Sequence, residues 1–283
     1  MRLPFSKRDP FPSFDLKEDY KKLNQLFHDK DAFSIQSRYS QQRDYYSYYD
    51  VLDEFFLQWH LRKECTSVEE MMCKLHISEN DLSKKVSEES FLDYVQFVIN
   101  AVEYVKGIVV RLPFEINRDN YSIGNAIKDN CLLVLNKLNA EVKAIDLELC
   151  VVYKNDVATA VSIQNQESAQ SIVEYLKIEN RDNLERKGEI LSSLYKQLEP
   201  HKRNLIDNGF QQLCNDMSLL LNKTGARHAL DPNDGIEAQI LTMGDQERIK
   251  WYDHAFKAVL ACMAVLPYLE LKKEIKDIKH RGQ

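Results

Sequence analysis

The sequence has few of the residues that break helices. Only 8 Gly and 7 Pro occur among 283 residues, while helix-favouring Leu, Lys, Glu and Gln are common. With 44% hydrophobic residues, a chain of this length can bury a large core. The composition therefore predicts a mainly helical fold.

Common metal-binding and phosphate-binding motifs are also missing. The six cysteines are scattered without a Cys-x-x-Cys pair, which argues against a zinc site. Glycine is too sparse for a P-loop or a dinucleotide-binding loop. Neither a Gly-x-Ser-x-Gly elbow nor a His-Glu-x-x-His helix occurs. We therefore predict no metal ion and no cofactor.

The net charge and the length of the apolar runs bear on two classes of partner, nucleic acids and membranes. A net charge of −6 argues against a molecule that binds nucleic acid over its whole surface, although it allows a local basic patch. Residues 1–14 lack the apolar run of a secretory signal. The apolar stretch around 258–266 is too short to cross a bilayer. We therefore expect a cytoplasmic protein that does not contact a membrane.

The N-terminal half predicts an extended arm followed by a helical region. Three prolines within residues 1–14 favour the arm, and residues 15–115 form the helical region. The aromatic stretch 43–64 predicts an amphipathic helix, and its four tyrosines form either a stacking surface for bases or the rim of a core. Residues 87–110 are apolar around most of a helical circumference, which predicts a central buried helix.

The C-terminal region, residues 116–283, predicts further helices and one β-hairpin. Residues 144–163 are rich in β-branched side chains, and Lys-Asn-Asp at 154–156 predicts the turn. The fold class is therefore a mainly α multi-helix bundle with one small hairpin near 145–163. Helical periods predict the remaining helices near 121–142, 166–177, 182–199 and 203–223 and from Asp245 onward, with Pro267 kinking or ending the last one.

The stretch LNKTGARHALDPNDG, residues 221–235, holds the candidate functional residues. Gly225 is typical of a helix C-cap, and Asp-Pro-Asn-Asp-Gly is typical of a turn. Arg227 and His228 follow the cap, where cations also interact favourably with the helix dipole. The pair is therefore either a functional site or the polar end of a helix.

Asn222, Arg227 and His228, with Trp251-Tyr252-Asp253 opening the terminal helix, resemble the C-terminal segment of bacterial abortive-infection (Abi-like) proteins. The resemblance covers roughly residues 120–278, and these C-termini are grouped with the HEPN helical superfamily. It implies a helical bundle, frequent dimerisation and often metal-independent RNA cleavage in phage defence. Arg227 would contact the scissile phosphate, His228 would transfer protons, and Asn222 would orient them.

The chain departs from the HEPN ribonuclease pattern, in which Arg, a polar residue and four to six further residues precede His. No His follows Arg227-His228 at that distance. Arg248 and His254 have the spacing, but Ile249 is apolar, and six residues place two side chains about 120° apart on a helix. They are secondary candidates. The alternative function is a non-catalytic helical sensor, regulator or scaffold that acts through a protein partner encoded nearby.

Overall fold

Two compact units, residues 1–153 and 154–283, divide the chain in the computed structural model. The structure describes residues 15–36, 43–78, 86–111, 120–145, 147–225 and 242–281, so the predicted arm lies outside the described residues. Helices predominate in both units, and the described strands form two small antiparallel pairs. The mainly helical fold class with a small hairpin is therefore confirmed.

The first unit combines helices with both strand pairs, and short 3-10 turns precede β1 and follow α2. Its elements in chain order are α1 (Leu16–Phe27), β1 (Phe33–Gln36), β2 (Arg43–Tyr46), α2 (Tyr48–Phe55), α3 (Val68–Lys74), α4 (Glu88–Val109), α5 (Asn120–Lys137), β3 (Ala140–Ile145) and β4 (Glu148–Tyr153).

Helix α4 is the buried centre of this unit, as its apolar circumference predicted. It begins with a capping box in which the Ser87 hydroxyl accepts the Ser90 N–H at 3.1 Å. Helices α1, α2 and α5 and strand β4 pack around it. Its buried apolar residues are Phe91, Leu92, Tyr94, Val95, Phe97, Val98, Ile99, Ala101, Val102, Val105 and Val109.

Two polar residues of α4 bind the backbone of β4. The Asn100 amide donates to the Leu149 carbonyl at 2.8 Å and accepts the Leu149 N–H at 2.9 Å. Gln96 Oε1 accepts the Val151 N–H at 2.7 Å. These side chains take the place of a neighbouring strand, so the backbone groups of Leu149 and Val151 at this edge of the hairpin have hydrogen-bond partners within the unit.

The hairpin lies earlier in the chain than the sequence predicted. Its strands pair from Ala140 with Tyr153 to Ile145 with Glu148, and residues 156–164 are helical. The predicted turn at 154–156 is wrong because Asn155 is a helix N-cap, whose side chain accepts the Ala158 N–H at 2.9 Å. The predicted helix to residue 142 correspondingly ends at Lys137.

A second strand pair was not expected. Residues 43–46 form β2, which pairs with β1 from Phe33–Tyr46 to Gln36–Arg43, so the predicted helix over 43–64 is wrong at its start. It is also wrong at its end, because α2 stops at Phe55 and two 3-10 turns follow. Helix α2 begins only at Tyr48. Ser47 is its N-cap and forms a capping box with Asp50, so the helix starts here and not at residue 43. Of the four tyrosines, Tyr48 is buried and Tyr45 is exposed, so the cluster is divided between core and surface.

The second unit contains only helices among its described elements. They are α6 (Asp156–Gln164), α7 (Gln166–Leu176), α8 (Leu184–Leu198), α9 (Lys202–Asp207), α10 (Gln211–Lys223) and α11 (Asp245–Arg281). The helix predicted over 203–223 is divided because Gly209 adopts φ 95°, which a helix cannot contain. Helix α11 begins at Asp245, as predicted, and Pro267 does not end it.

Helices α8, α10 and α11 enclose the core of the second unit. Leu191 and Leu194 from α8, Met217 and Leu221 from α10, and their partners from α11 form one buried cluster. The α11 residues in this cluster are Tyr252, Ala255, Phe256, Val259, Leu260, Cys262, Met263 and Leu269. Their spacing of three and four residues lays one face of α11 along the core.

Helix α11 also has the length and composition of a membrane span. Residues 245–276 meet both criteria, and 39% of the most apolar window is buried inside the protein. This range is longer than the apolar stretch around 258–266, from which the sequence predicted no crossing. A core helix of a globular unit passes the same test, so α11 is weak support for a span.

The division between the units differs from the predicted boundary at 115/116. Helix α5 packs against α1 and α4, and β4 packs against α4. These contacts join residues 120–153 to the first unit, whereas the prediction had placed them with the C-terminal helices.

Candidate functional site

The end of α10 and the start of α11 flank the segment that carries the sequence-predicted site. Arg227 and His228 themselves lie outside the described residues. Asn222 is the next-to-last residue of α10 and is half-buried. After it, Thr224 is buried, and Gly225 has the positive φ of 72° that its predicted C-cap position requires.

Trp251-Tyr252-Asp253, the triplet on which the resemblance partly rests, contacts the body of the second unit through all three side chains. The Tyr252 hydroxyl donates to the Thr224 carbonyl at 2.8 Å, in a fully buried contact. This bond satisfies a carbonyl at the end of α10 that the helix itself leaves unpaired. It therefore fastens the first turns of α11 to the last turn of α10.

Asp253 joins α11 to the two helices beneath it. Its Oδ1 accepts from Lys187 Nζ of α8 at 2.7 Å and from the Tyr175 hydroxyl of α7 at 3.0 Å. Lys187 is only 4% exposed, whereas the Asp253 side chain is 42% exposed. A buried ammonium requires a paired anion, and Asp253 supplies it.

Aromatic contacts complete this arrangement. The Tyr175 ring stacks on Phe256 with centroids 3.9 Å apart, and Lys187 Nζ lies 4.8 Å from the Tyr175 centroid. Burial, followed by the charge of Asp253, raises the pKa of Tyr175, so its hydroxyl stays protonated and donates. We call Tyr175, Lys187, Thr224, Tyr252 and Asp253 the junction cluster.

A cationic and aromatic surface lies beside the junction cluster. Lys223 Nζ is 4.8 Å from the centroid of the Trp251 ring, and the exposed His254 ring meets Trp251 edge-on at 6.4 Å. Stacking on an aromatic ring and attraction to cations are the two interactions that single-stranded RNA uses most often. Lys223, Trp251 and His254 therefore form a small surface suited to a nucleotide.

The secondary candidates Arg248 and His254 both lie on α11 but do not contact each other among the described side chains. Arg248 Nη1 is 3.6 Å from Asp245 Oδ1, and its Nε is buried without a hydrogen-bond partner within the described part of the chain. His254 contacts Trp251 instead. The structure therefore assigns each residue different surroundings, as their separation around the helix predicts.

Lys187 is the residue that sequence reasoning missed. It occupies the same helical face as Leu184, Leu191, Leu194 and Leu198, all of which pack into the core. A lysine at such a position, in a helix of otherwise regular apolar period, indicates a buried charge that needs a carboxylate. The signal was present in the sequence, although the partner at Asp253 was not identifiable from it.

No protein-family model, curated protein or solved structure matches this chain. Among the described residues, no three His, Cys, Asp or Glu side chains are grouped so that they could hold a metal ion.

A cavity in the first unit is a separate candidate for binding. It has a volume of about 210 Å³, smaller than the roughly 300 Å³ at which pockets for small molecules begin. The His28 ring stacks on Tyr49 at 4.4 Å on its wall. Burial, followed by the charges of Asp53 and Glu69, raises the pKa of Tyr49, and Glu69 places a carboxylate on the wall. The cavity suits a single basic side chain.

Proposed function

We propose that this protein is a bacterial antiviral defence protein of the abortive-infection type and that its C-terminal helices cleave RNA. Arg227 contacts the scissile phosphate and His228 transfers the proton, with Asn222 orienting the pair. Two such pairs meet over a shared cleft when the protein dimerises, which compensates for the missing spaced His. The resemblance of Asn222, Arg227, His228 and Trp251-Tyr252-Asp253 to Abi-like proteins is the starting point of this proposal.

One structural observation supports the proposal most. All three side chains of Trp251-Tyr252-Asp253 contact α7, α8 or the end of α10. The end of α10 and the second turn of α11, on either side of residues 226–241, are therefore held together by contacts within the second unit. Catalytic side chains need such anchoring, because an error of about 1 Å in their position can lower the rate a hundredfold.

The surroundings of Trp251 also favour RNA. Lys223 lies 4.8 Å from the centroid of the Trp251 ring, and both side chains can contact a nucleotide through charge and stacking. Cleavage in which an arginine stabilises the phosphate and a histidine moves the proton ends in a 2′,3′-cyclic phosphate.

Incubation of the purified protein with total RNA and a chelator tests this function. We expect degradation with 2′,3′-cyclic phosphate ends, and we expect Arg227→Ala and His228→Ala each to lower the rate at least a hundredfold. Arg203→Ala is the matched control, because Arg203 is exposed on α9, outside the proposed site. If Arg248→Ala or His254→Ala removes cleavage while Arg227→Ala does not, the secondary candidates carry the reaction.

The second candidate function is a non-catalytic sensor, regulator or scaffold that acts through a protein partner. The cavity beside Tyr49 favours it, because its size and the Glu69 carboxylate on its wall suit a basic side chain of such a partner. In this case RNA survives at high protein concentration, phage protection remains, and Tyr49→Ala removes the protection. Loss of protection in Arg227→Ala alone would contradict the sensor function.

A further inference from the structure

The last third of α11 carries an apolar stripe that the second unit does not cover. Four large residues follow one another at intervals of three, four and three positions, and they are all exposed: Tyr268 (57%), Leu271 (52%), Ile275 (43%) and Ile278 (69%). This is the spacing of the a and d positions of a coiled coil, with residues 268 and 275 at a and residues 271 and 278 at d. At 1.5 Å per residue the stripe is about 15 Å long.

The stripe faces away from the core of its own unit. Leu269 is buried in that core, and Lys272 Nζ bonds Asn208 Oδ1 of the α9 end at 3.3 Å. At about 100° per residue, Leu271 and Ile275 lie roughly 120° to 160° from Leu269 and roughly 80° to 120° from Met263, another residue of the core face. Beyond Lys272, the described side chains of α11 are exposed on every face. Helix α11 therefore has two apolar faces, of which only one is covered.

Charges of opposite sign flank the stripe on its two sides. Glu274 lies at a g position on one flank, and residue 279, at the e position five residues further on, is a lysine in the sequence. In a parallel, two-fold symmetric helix pair, the g flank of each helix meets the e flank of its partner, so acidic residues face basic ones. In a symmetric antiparallel pair each flank would meet its own copy, and like charges would face each other.

We propose that this stripe is a homodimer interface in which the ends of two α11 helices pair in parallel, with Tyr268, Leu271, Ile275 and Ile278 in contact with their own copies. The inference does not depend on the RNA-cleaving function. The stripe is shorter than a standard interface, so we expect a dimer that dissociates on dilution.

Sedimentation of the full chain over a range of concentrations tests the interface. We expect a monomer–dimer equilibrium whose dissociation constant rises at least tenfold in Ile275→Glu. Ile163→Glu is the matched control, because Ile163 is also an exposed isoleucine, on α6, outside the stripe. A protein that stays monomeric at the highest concentration, or an Ile275→Glu variant that dimerises as before, overturns the proposal.

Cross-linking then determines the direction of the helices. In a Cys73→Ser background, which removes the exposed cysteine and leaves the five buried ones, Tyr268→Cys and Ile278→Cys are made separately. Parallel helices place each new cysteine beside its own copy, so both variants form disulfide dimers under an added oxidant. Cross-links that form only when the two variants are mixed indicate antiparallel helices and overturn the parallel arrangement.

A membrane surface is the competing occupant of the stripe. Amphipathic helices that bind membranes carry mainly Lys and Arg on their polar face, whereas the polar residues of this segment are mixed, with Glu270, Glu274 and Asp277 among Lys272, Lys273 and Lys276. Co-sedimentation with phosphatidylserine vesicles that Ile275→Glu abolishes, in a protein that does not self-associate, overturns the dimer proposal. Self-association without binding to vesicles supports it.

Discussion

In the ion pair between Lys187 and Asp253, the lysine is buried and the aspartate is partly exposed. Removing either partner should therefore change the free energy of unfolding by a different amount. Asp253→Ala leaves the buried Lys187 ammonium without its anion, and we expect it to lower the free energy of unfolding by about 3 kcal/mol. Lys187→Met keeps the apolar stem and leaves a carboxylate that water can reach, so we expect a loss of about 1 kcal/mol or less. Urea unfolding followed by circular dichroism measures both.

The double variant provides the control for this comparison. In Lys187→Met/Asp253→Ala no buried charge remains, so the loss should be smaller than that of Asp253→Ala alone. Equal losses in the two single variants would mean that Lys187 reaches water without Asp253, and the pair would then not hold α8 to α11.

Sequence reasoning at the scale of single residues identified some positions and not others. It found the cap at Gly225 and the central apolar positions of α4, because capping and helical period depend on neighbours a few residues away. The partnership of Lys187 with Asp253 spans 66 positions in the chain and depends on how α8 crosses α11. Whether Arg227 and His228 form a site stays a prediction.

At the scale of elements, Gly124 and Gly107 allow a matched pair of alanine substitutions in two helices of the first unit. A Cβ at Gly124 of α5 would lie 2.1 Å from the Tyr48 hydroxyl, and Tyr48 is buried, so α2 and α5 would have to separate. We expect Gly124→Ala to destabilise the first unit by about 1–3 kcal/mol through overpacking. Thermal unfolding followed by circular dichroism measures the change.

Gly107 of α4 is the control, because a Cβ there meets nothing within 4 Å among the described atoms. Gly107→Ala should stabilise the helix by about 0.5–1 kcal/mol, since alanine loses less backbone freedom on folding. If both substitutions stabilise the protein, the close approach of Tyr48 to α5 is not a constraint on packing.

The elements that the sequence misplaced share one physical cause. Polar residues such as Lys154, Asn155 and Asp156 can close a hairpin or cap a helix, and the local pattern allows both. The tertiary structure decides between them: Ala158 and Val161 are buried at helical spacing in the second unit, which makes Asn155 a cap. Ser47 similarly ends a strand and begins a helix where continuous amphipathic periodicity predicted one helix.

The division of the whole molecule depends on contacts that no local pattern shows. Asn100 and Gln96 bind the backbone of β4 across about fifty residues, and this ties the hairpin to α4. A boundary placed near residue 116 from the extent of a sequence resemblance cannot detect such bonds. The helical fold class was predictable because it depends on the composition and period of the chain as a whole.

The second unit has a buried core of its own, and we therefore expect residues 154–283 to fold without the rest of the chain. The cluster around Leu191, Leu194, Leu221, Phe256 and Leu260 lies entirely within it, and Asn155 provides the first helix cap. The purified fragment should give a helical circular dichroism spectrum and one cooperative thermal transition.

The fragment also contains Arg227, His228 and the stripe on α11, so it should retain RNA cleavage and self-association if both proposals hold. A fragment that lacks a cooperative transition would show that the core of the second unit depends on the first. In contrast, a folded fragment that self-associates but leaves RNA intact would separate the dimer interface from the proposed ribonuclease function.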